Sequence, residues 1–326
     1  MTLRAGVVGL GVMGRHHSRV LSQLDGVEFV GVSDPADSVG PTIQGKPVFK
    51  SLDEFLDQGV DYCVVSAPTT YHLSIAQQLA DRGIHALVEK PVASTAEEAV
   101  TLRDLFASKN LVGGVGHIER YNPALQAARA RIEDGLLGEI YQVATRRQGP
   151  FPGRIADVGV IKDLASHDID LTAWVTQQEY VSVNARTAHR SGRAHEDMVV
   201  AVGTLSKGTI VSHTINWLTP FKERVTVITG ENGVLVADTL TADLTYYQNG
   251  VIEQTWDGSA SFRGVSEGDM TRFALNRKEP LLAEHEAFRD AVLTGDQSTI
   301  VTLAEGTRVV EIAEAMVADG VTHRLG

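Results

Sequence analysis

Short apolar runs alternate with stretches of helical periodicity over the first 116 residues of the chain. The apolar runs have no helical period, which predicts strands buried on both faces of a parallel sheet. The predicted strands are residues 5–8, 27–32, 61–66, 85–88 and 111–116, and the predicted helices are residues 12–24, 51–56, 72–82 and 94–108. Residues 35–47, rich in glycine and proline, predict a loop. This alternation is typical of an α/β fold with a doubly wound, Rossmann-type parallel sheet.

The pattern changes after residue 121, where strands separated by turn signals dominate. The predicted strands are residues 139–148, 181–189, 197–205, 208–218, 222–229, 233–237, 243–248 and 250–255; the predicted loops are 149–159 and 257–269; and the predicted helices are 123–134, 163–176, 284–293 and 299–317. Consecutive strands of this kind predict an antiparallel meander, so the second domain is α+β with a mostly antiparallel, open-faced sheet. The predicted domains are residues 1–120 and 121–326. A sheet with one uncovered face favours a homodimer or homotetramer that forms through it.

Composition and charge narrow the range of partners. The chain has 326 residues, enough for two domains, and its 43% hydrophobic and 21% charged residues are ordinary for a soluble protein. A net charge of −12 offers no basic field to nucleic acid or to an anionic membrane, so neither is expected as a partner. No stretch has the apolar length of a membrane span, and the first apolar run is expected to be a strand rather than a signal peptide. A single cysteine, Cys63, rules out a disulfide framework and favours a cytoplasmic location.

A GxGxxG spacing lies between the first predicted strand and the first predicted helix. In a dinucleotide-binding turn, the first glycine permits a tight turn, the second lets a pyrophosphate approach and the third lets helix and strand pack closely. The residues predicted to hold the pyrophosphate at the helix N-terminus are Gly9, Gly11, Val12, Met13 and Gly14. Asp34 ends the second strand, where a carboxylate accepts from both ribose hydroxyls and repels a 2′-phosphate. The unit predicts NAD as the cofactor, and the alternative is a glycine-rich turn in another βαβ protein.

Ligands of a doubly wound sheet bind beyond the carboxyl ends of its strands. The turn after the third strand therefore contributes predicted cofactor contacts, namely Ala67, Pro68, Thr69 and His72. The fourth strand leads into Glu89, Lys90 and Pro91, of which the first two join the predicted cofactor site. Because proline restricts itself and the residue before it, Lys90 is held where it can donate to a substrate hydroxyl. The alternative is a surface lysine paired with Glu89.

Asp163 and His167 stand four residues apart on a predicted helix and so share a face. Histidine accepts protons near neutral pH, and a carboxylate one turn away can orient it and support its charge. The alternatives are an ordinary surface pair or a histidine hydrogen-bonded in a core. A metal site formed with Asp170 is also an alternative, but the chain supplies no other matched ligand set, so no metal is expected.

Arginines flank the predicted loop that precedes this helix. Guanidinium groups bind phosphate oxygens well, and an aromatic ring in the loop could stack on a base or a sugar. A second polar group lies where the first domain meets the second. The residues predicted to bind substrate in these two segments are Arg120, Tyr121, Asn122, Arg147, Phe151 and Arg154. The alternatives are a solvated loop and a domain hinge.

The motifs GLGVMG, SAPTTYH, EKPVA and KDLASHDID, in this order, resemble the glucose–fructose oxidoreductase and inositol dehydrogenase family (Gfo/Idh/MocA). The resemblance covers the whole chain and implies an NAD-dependent oxidoreductase with a Rossmann domain followed by an α+β domain. It also implies that Lys90 contacts the reacting hydroxyl, that His167 takes its proton and that Asp163 orients His167.

Within the family, residues 116–124 and 146–170 are most similar to nucleotide-sugar 3-dehydrogenases of the UDP-N-acetylglucosamine type. Such enzymes use NAD to oxidise the sugar 3-hydroxyl to a ketone. Inositol and free-sugar dehydrogenases share the lysine and the Asp/His pair, so these residues do not decide the substrate. The alternatives are therefore an inositol or free-sugar dehydrogenase and, in a different class, a dinucleotide-binding sensor without catalytic activity.

Overall fold

The structure is a computed structural model that describes residues 2–153, 158–250 and 266–322. These residues divide into two compact units, Met1–Tyr121 with Lys278–Glu314, and Asn122–Arg277 with Ala315–Gly326. Among the described helices, none is long and apolar enough to cross a membrane.

The first unit is built on a largely parallel sheet. Its strands are β1 Leu3–Val8, β2 Val27–Ser33, β3 Thr42–Ile43, β4 Lys46–Phe49, β5 Tyr62–Val65, β6 His85–Glu89 and β7 Gly113–Gly116, and its N-terminal helices are α1 Val12–Leu21, α2 Leu52–Leu56, α3 His72–Asp81 and α4 Ala96–Ser108. The described strands lie in the order β3-β4-β2-β1-β5-β6-β7. Apolar clusters pack on the sheet, with Val7, Val64 and Leu87 in one and Cys63, Val65 and Val88 in another. The predicted doubly wound sheet is confirmed.

The predicted loop over residues 35–47 is wrong in its second half, which forms a hairpin. Gln44 and Gly45 both have positive φ, at 50° and 72°, and Ile43 pairs with Lys46 across them. Two positive-φ residues between antiparallel strands are typical of a tight two-residue turn. Glycine and proline in this segment therefore mark a β-hairpin at the edge of the sheet. Its second strand, β4, pairs with β2.

The second unit contains a mainly antiparallel sheet with helices. Its helices are α5 Pro123–Glu133 and α6 Ser166–Thr176, and its strands are β8 Ile140–Pro150, β9 Tyr180–Ala188, β10 Met198–Leu205, β11 Ile210–Asn216, β12 Leu218–Gly230, β13 Gly233–Asp238, β14 Asp243–Gly250 and β15 Ser266–Arg272. The described strands lie in the order β15-β14-β13-β12-β8-β11-β10-β9. The predicted cap of α5 is confirmed, because the Asn122 side chain accepts from the Ala124 N–H.

Two predictions about this sheet need correction. The sheet is not a simple meander, because β8 lies between β12 and β11 and runs parallel to β11. Side-chain alternation reports which face is buried but not which strands are neighbours, so the sequence could not show this insertion. The predicted loop 257–269 is wrong at residues 266–269, which begin β15; residues 251–265, including most of the predicted strand 250–255, lie outside the described residues.

The first unit also contains α7 Pro280–Thr294 and the start of α8 Leu303–Thr322. Phe288 is fully buried, and a Cβ on Gly114 would lie 3.0 Å from its ring. The Val115 N–H donates to the Val301 carbonyl at 2.9 Å. This differs from the predicted division at residue 120, because the glycines of β7 leave space that apolar side chains from the end of the chain fill.

Candidate active site

The turn between β1 and α1 leaves no room for a side chain at two of its three glycines. Gly9 has a φ of +96°, and a Cβ there would lie 2.6 Å from the backbone nitrogen of Ala67. A Cβ on Gly14 would overlap the Gly9 carbonyl oxygen. Gly11, the N-cap of α1, faces open space, with no atom within 4 Å of the place its Cβ would take. The first N–H groups of α1 are thus accessible to an anion such as a pyrophosphate.

Asp34 is joined to this turn by hydrogen bonds to the backbone. Its Oδ2 accepts from the Leu10 N–H at 2.7 Å, and its Oδ1 accepts from the Ala36 N–H at 2.8 Å. Carboxylate oxygens have further lone pairs, so the same group can also accept from ribose hydroxyls. The half-buried Asp34 and the glycine turn therefore form one preorganised group.

His72 connects the turn after β5 to the turn after β6. The imidazole is 1% exposed, with Nε2 2.9 Å from the Ala67 carbonyl and Nδ1 3.0 Å from the Pro91 carbonyl. Burial lowers the pKa of His72, although its hydrogen bond to Ala67 opposes this. The side chain thus supports the turn from within, whereas Pro68 is exposed and Thr69 is half-buried.

Lys90 follows β6 directly and is half-buried, so it is not a fully solvated surface lysine. Its peptide bond to Pro91 is cis. The Lys90 N–H donates to Oε2 of the buried Glu89 at 3.0 Å. The main chain at Lys90 is therefore fixed from within the domain.

Asp163 and His167 are buried, at 6% and 9% exposure, which excludes an ordinary surface pair. Asp163 lies in a π-helical turn, Ile161–Ala165, and His167 lies in α6 directly after it. Glu196 fixes the start of this segment, since its Oε1 accepts from the Ile161 N–H at 3.1 Å and its carbonyl accepts from the Val160 N–H at 2.9 Å. The predicted regular helix over 163–176 therefore begins with a π turn, a feature frequent at functional sites.

Two models of one protein family match the chain. The first, described as an oxidoreductase family with an NAD-binding Rossmann fold, matches residues 3–117. The second, the GFO/IDH/MocA C-terminal domain, matches residues 125–236. The chain belongs to the Gfo/Idh/MocA oxidoreductase family. The predicted oxidoreductase class and NAD cofactor are thereby confirmed, and the glycine turn and Asp34 provide the features such a cofactor requires.

Relatives within the Gfo/Idh/MocA family include enzymes with different sugar and polyol substrates. The UDP-N-acetylglucosamine 3-dehydrogenase of Acidithiobacillus ferrooxidans is 31% identical over 294 residues, which cover 89% of this chain and 88% of the relative. A solved structure of that enzyme has a TM-score of 0.83 at 27% identity, covering 98% of both chains. Inositol 2-dehydrogenase 2 of Saccharopolyspora erythraea is 29% identical over 210 residues, 60% of each chain. The scyllo-inositol dehydrogenase of Lactobacillus casei, solved with NAD(H) and scyllo-inositol, has a TM-score of 0.77 over 98% of this chain and 97% of that one, and at 18% identity it shows the fold alone.

Two of the predicted substrate-binding arginines are buried in ion pairs. Arg147 is 2% exposed, and its Nε donates to Asp168 Oδ2 at 2.6 Å. Arg120 is 6% exposed and pairs with Glu305 at 2.7 Å. Separating a buried charge from its partner is costly, so these contacts argue against direct binding of a substrate phosphate by either side chain.

The two polar residues that follow Arg120 are also engaged in the fold. The Tyr121 hydroxyl donates to the Thr299 carbonyl at 3.2 Å, and the ring is half-buried. Asn122 is buried at the start of α5, and its amide nitrogen donates to the Thr239 carbonyl at 3.0 Å. Each side chain thus fixes its own backbone segment within its own unit.

Phe151 is 37% exposed and belongs to an aromatic cluster that the sequence did not indicate. Its ring meets Trp217 edge to face at 5.3 Å, and the Arg193 guanidinium lies 4.0 Å above the Phe151 ring. Arg154, the third predicted arginine, lies outside the described residues.

Sequence reasoning missed Glu196, Arg193 and the pair His17 and His285. The hydrogen-bond partner of the Glu196 carboxylate lies 35 residues away, so no local spacing marks Glu196.

Among the described residues, no group of three or more His, Cys, Asp and Glu side chains could hold a metal ion.

Proposed function

We propose that this family member is a dehydrogenase of CH–OH groups that oxidises the C3 hydroxyl of a UDP-N-acetylglucosamine-type nucleotide sugar to a ketone. The observation that carries the proposal is the 31% identity to the UDP-N-acetylglucosamine 3-dehydrogenase over 89% of this chain and 88% of that enzyme. In support, the chain combines an anion-binding glycine turn, a half-buried lysine at a strand end and a buried Asp–His pair.

The proposal assigns one role to each of these groups. NAD, when bound, supplies the nicotinamide that accepts a hydride from the carbinol carbon. His167 accepts the hydroxyl proton as general base, and Asp163 orients His167. Lys90 stabilises the negative charge that develops on the oxygen.

Variants of these residues test the chemistry. Lys90→Ala and His167→Ala should each lower kcat by roughly a hundredfold or more while leaving the Kd for NADH nearly unchanged. Asp163→Asn should cost less, because it alters orientation only. Lys109→Ala, which removes an exposed pair with Asp81, is the matched control and should behave as wild type. Near-normal turnover by His167→Ala would place the base elsewhere, and Tyr121 would then be the first residue to test.

A nucleotide-sugar diphosphate requires accessible cations. Because Arg120 and Arg147 are buried in ion pairs, the proposal assigns the phosphate contact to Arg154 and the stacking contact to Phe151. A charge-assisted hydrogen bond contributes roughly 1.5–3 kcal/mol, so losing it should weaken binding by one to two orders of magnitude.

A thermal-shift panel in the presence of NAD tests the substrate class. UDP-N-acetylglucosamine, its uronic acid, other nucleotide sugars, inositol and glucose would be compared, and a nucleotide sugar should give the largest added shift. Arg154→Ala should abolish that shift and spare the shift caused by NAD. Arg146→Ala is the control, because that side chain is 57% exposed and pairs with Glu223.

The second candidate is an inositol or free-sugar dehydrogenase, which the similarity to inositol 2-dehydrogenase 2 favours. Neither ligand carries a phosphate, so Arg154→Ala should leave its binding unchanged. Stabilisation by inositol or glucose alone would overturn the nucleotide-sugar proposal. NADH binding without turnover of any of these compounds would instead favour the sensor.

A further inference from the structure

A chain of three buried polar side chains lies within the first unit and is not used by the chemistry above. Glu89 Oε1 is 2.9 Å from His17 Nε2, and His17 Nδ1 is 2.9 Å from His285 Nε2. Both histidines are 0% exposed and Glu89 is 8% exposed. We propose that His17 and His285 are positioning residues that hold Glu89 and, through it, the main chain at Lys90. This inference rests on the proposed function, in which Lys90 acts on the substrate oxygen.

The direction of the first hydrogen bond follows from the carboxylate. An ionised carboxylate only accepts, so His17 Nε2 carries a proton and donates to Glu89. His285 Nε2 then donates to His17 Nδ1 when His17 is neutral, and accepts from it when His17 is protonated. Among the described residues, His285 Nδ1 has no hydrogen-bond partner, so the chain ends there.

The other end of the chain is the backbone of Lys90. Glu89 Oε2 accepts from the Lys90 N–H at 3.0 Å, so each carboxylate oxygen has its own partner. A Cβ on Gly116 would lie 3.1 Å from the Glu89 carboxyl carbon, so the absence of one leaves room for this group. His72 contacts the carbonyl of Pro91, the next residue. The backbone is therefore held by Glu89 at the Lys90 N–H and by His72 at the Pro91 carbonyl.

This hydrogen-bonded series of side chains keeps the Glu89 carboxylate ionised inside the first unit. Burial would raise the pKa of Glu89, but its hydrogen-bonding and electrostatic interactions with His17, and then those with Lys90, outweigh the burial, and the net pKa is lowered. Burial also lowers the pKa of His285, well below its usual range. Without His17, the buried Oε1 of Glu89 would lose its donor, so removing His17 should release Glu89 from its position. A purely space-filling role for α1 and α7 would need no such polar chain.

The experiment uses substitutions that keep or remove one nitrogen of the ring. The amide nitrogen of His17→Gln can replace Nε2 and donate to Glu89, whereas His17→Asn is too short to do so. His285→Gln and His285→Asn form the same pair for the bond to His17 Nδ1. For each variant, kcat, KM, the Kd for NADH, the Tm, the exchange rate of the Lys90 amide hydrogen and the acylation rate of Lys90 would be measured below the Tm.

We expect His17→Asn to lower kcat roughly tenfold to a hundredfold, with little change in KM or in NADH affinity. It should also speed exchange of the Lys90 amide and change the acylation rate of Lys90. His17→Gln should recover most of these losses, and the His285 pair should show the same order with smaller effects.

Equal losses in the Gln and Asn variants, or wild-type exchange at Lys90 in His17→Asn, would overturn the positioning role. The amide-exchange and acylation readouts need no substrate. If wild-type protein turns over none of the compounds tested, the proposed function fails, while these two readouts still decide whether His17 and His285 position Lys90.

Discussion

A buried histidine in the second unit gives the protein a dependence of stability on pH. His213 has both ring nitrogens hydrogen-bonded, Nδ1 at 2.8 Å from Thr145 Oγ1 and Nε2 at 2.9 Å from the Tyr180 hydroxyl. Burial lowers the pKa of His213 to about 4. The same side chain in the unfolded chain takes up a proton near pH 6.5. Protons therefore favour the unfolded state as the pH falls from about 6.5 towards 4.

We predict that protonation of His213 lowers the free energy of unfolding by about 1.4 kcal/mol for each unit by which the pH falls within this window. Urea unfolding at pH 6 and pH 5 would measure the slope for wild type and for His213→Gln, which should have the shallower one. The variant has its own stability at neutral pH, so the slope is the quantity to compare. His16→Gln, at an exposed position, is the control. Equal slopes in His213→Gln and wild type would contradict the prediction.

Asp34 should decide between the two dinucleotides. We predict tighter binding of NAD than of NADP to wild type, because a carboxylate placed against the ribose repels a 2′-phosphate. Asp34→Ala should weaken the binding of NAD, partly because the Leu10 N–H loses its acceptor. The difference in affinity between NAD and NADP should therefore become smaller. Fluorescence titration with both would measure this, with the exposed Asp37→Ala as control. Tighter binding of NADP to wild type would refute the placement of Asp34.

At this scale, the sequence predicted residues whose requirements are local. Gly9 and Gly14 are needed by the backbone itself, so spacing alone identified them. The fate of Arg147 depends on Asp168, which folding brings close from 21 residues away, so a predicted phosphate ligand is a buried ion-pair partner.

Among the elements, the segment with Asp163 and His167 depends most on one distant side chain. The Glu196 carboxylate caps its first turn and occupies the space where a Cβ on Gly159 would be. We predict that Glu196→Ala and Gly159→Ala each lower the free energy of unfolding by roughly 1 kcal/mol, as the loss of a helix cap does. Both should also lower turnover, because the start of the helix shifts.

A double-mutant cycle tests whether Gly159 and Glu196 act through the same contact. If Gly159→Ala acts by displacing the Glu196 carboxylate, it should cost little once Glu196 is already alanine. Urea unfolding of wild type, both single variants and the double variant would measure the coupling. Additive costs would show that the two residues act independently.

Element types were predictable because apolar periodicity is a local property, and strands β1, β2, β5 and β6 lie close to where the pattern placed them. The π turn was not predictable, because it is capped by a residue from the loop between β9 and β10. The β3–β4 hairpin was missed because Gly45 signals a turn without showing that strands flank it.

At the scale of the whole molecule, the sheet of the second unit has an apolar stripe on one face. Val202 is 52% exposed and alternates with the buried Val199 and Ala201. Val202 begins a row of register partners that crosses neighbouring strands of the sheet. The row continues through Ser212, Ala144, Val227 and Val236. Small side chains in a row, all of them apolar except Ser212, suit close packing against an identical face.

We predict a dimer or tetramer that forms through this stripe. Val202→Lys combined with Val227→Lys should shift the protein to a smaller species, because like charges would meet in the interface. Val181→Lys, whose side chain is 70% exposed and which lies outside this row, is the control. Sedimentation velocity would measure the masses, and an unchanged mass in the double variant would exclude this interface.

Strand order was the least predictable part of the whole molecule. The parallel first sheet and the mostly antiparallel second sheet follow from periodicity, but the position of β8 depends on pairings with strands that come about 70 residues later. A single sequence states what each strand buries and leaves open which strand lies beside it.

The return of residues Lys278–Glu314 to the first unit has a consequence for building chimeric enzymes. Phe288 fills space beside Gly114, and Val301 accepts a hydrogen bond from the Val115 N–H. An exchange of substrate specificity that cuts once, near residue 121, would combine the β7 of one parent with the helices of another. A graft of residues 122–277 alone keeps these partners from the same parent. Two-junction grafts should therefore express as folded NAD-binding proteins more often than single-junction grafts from the same pair of parents.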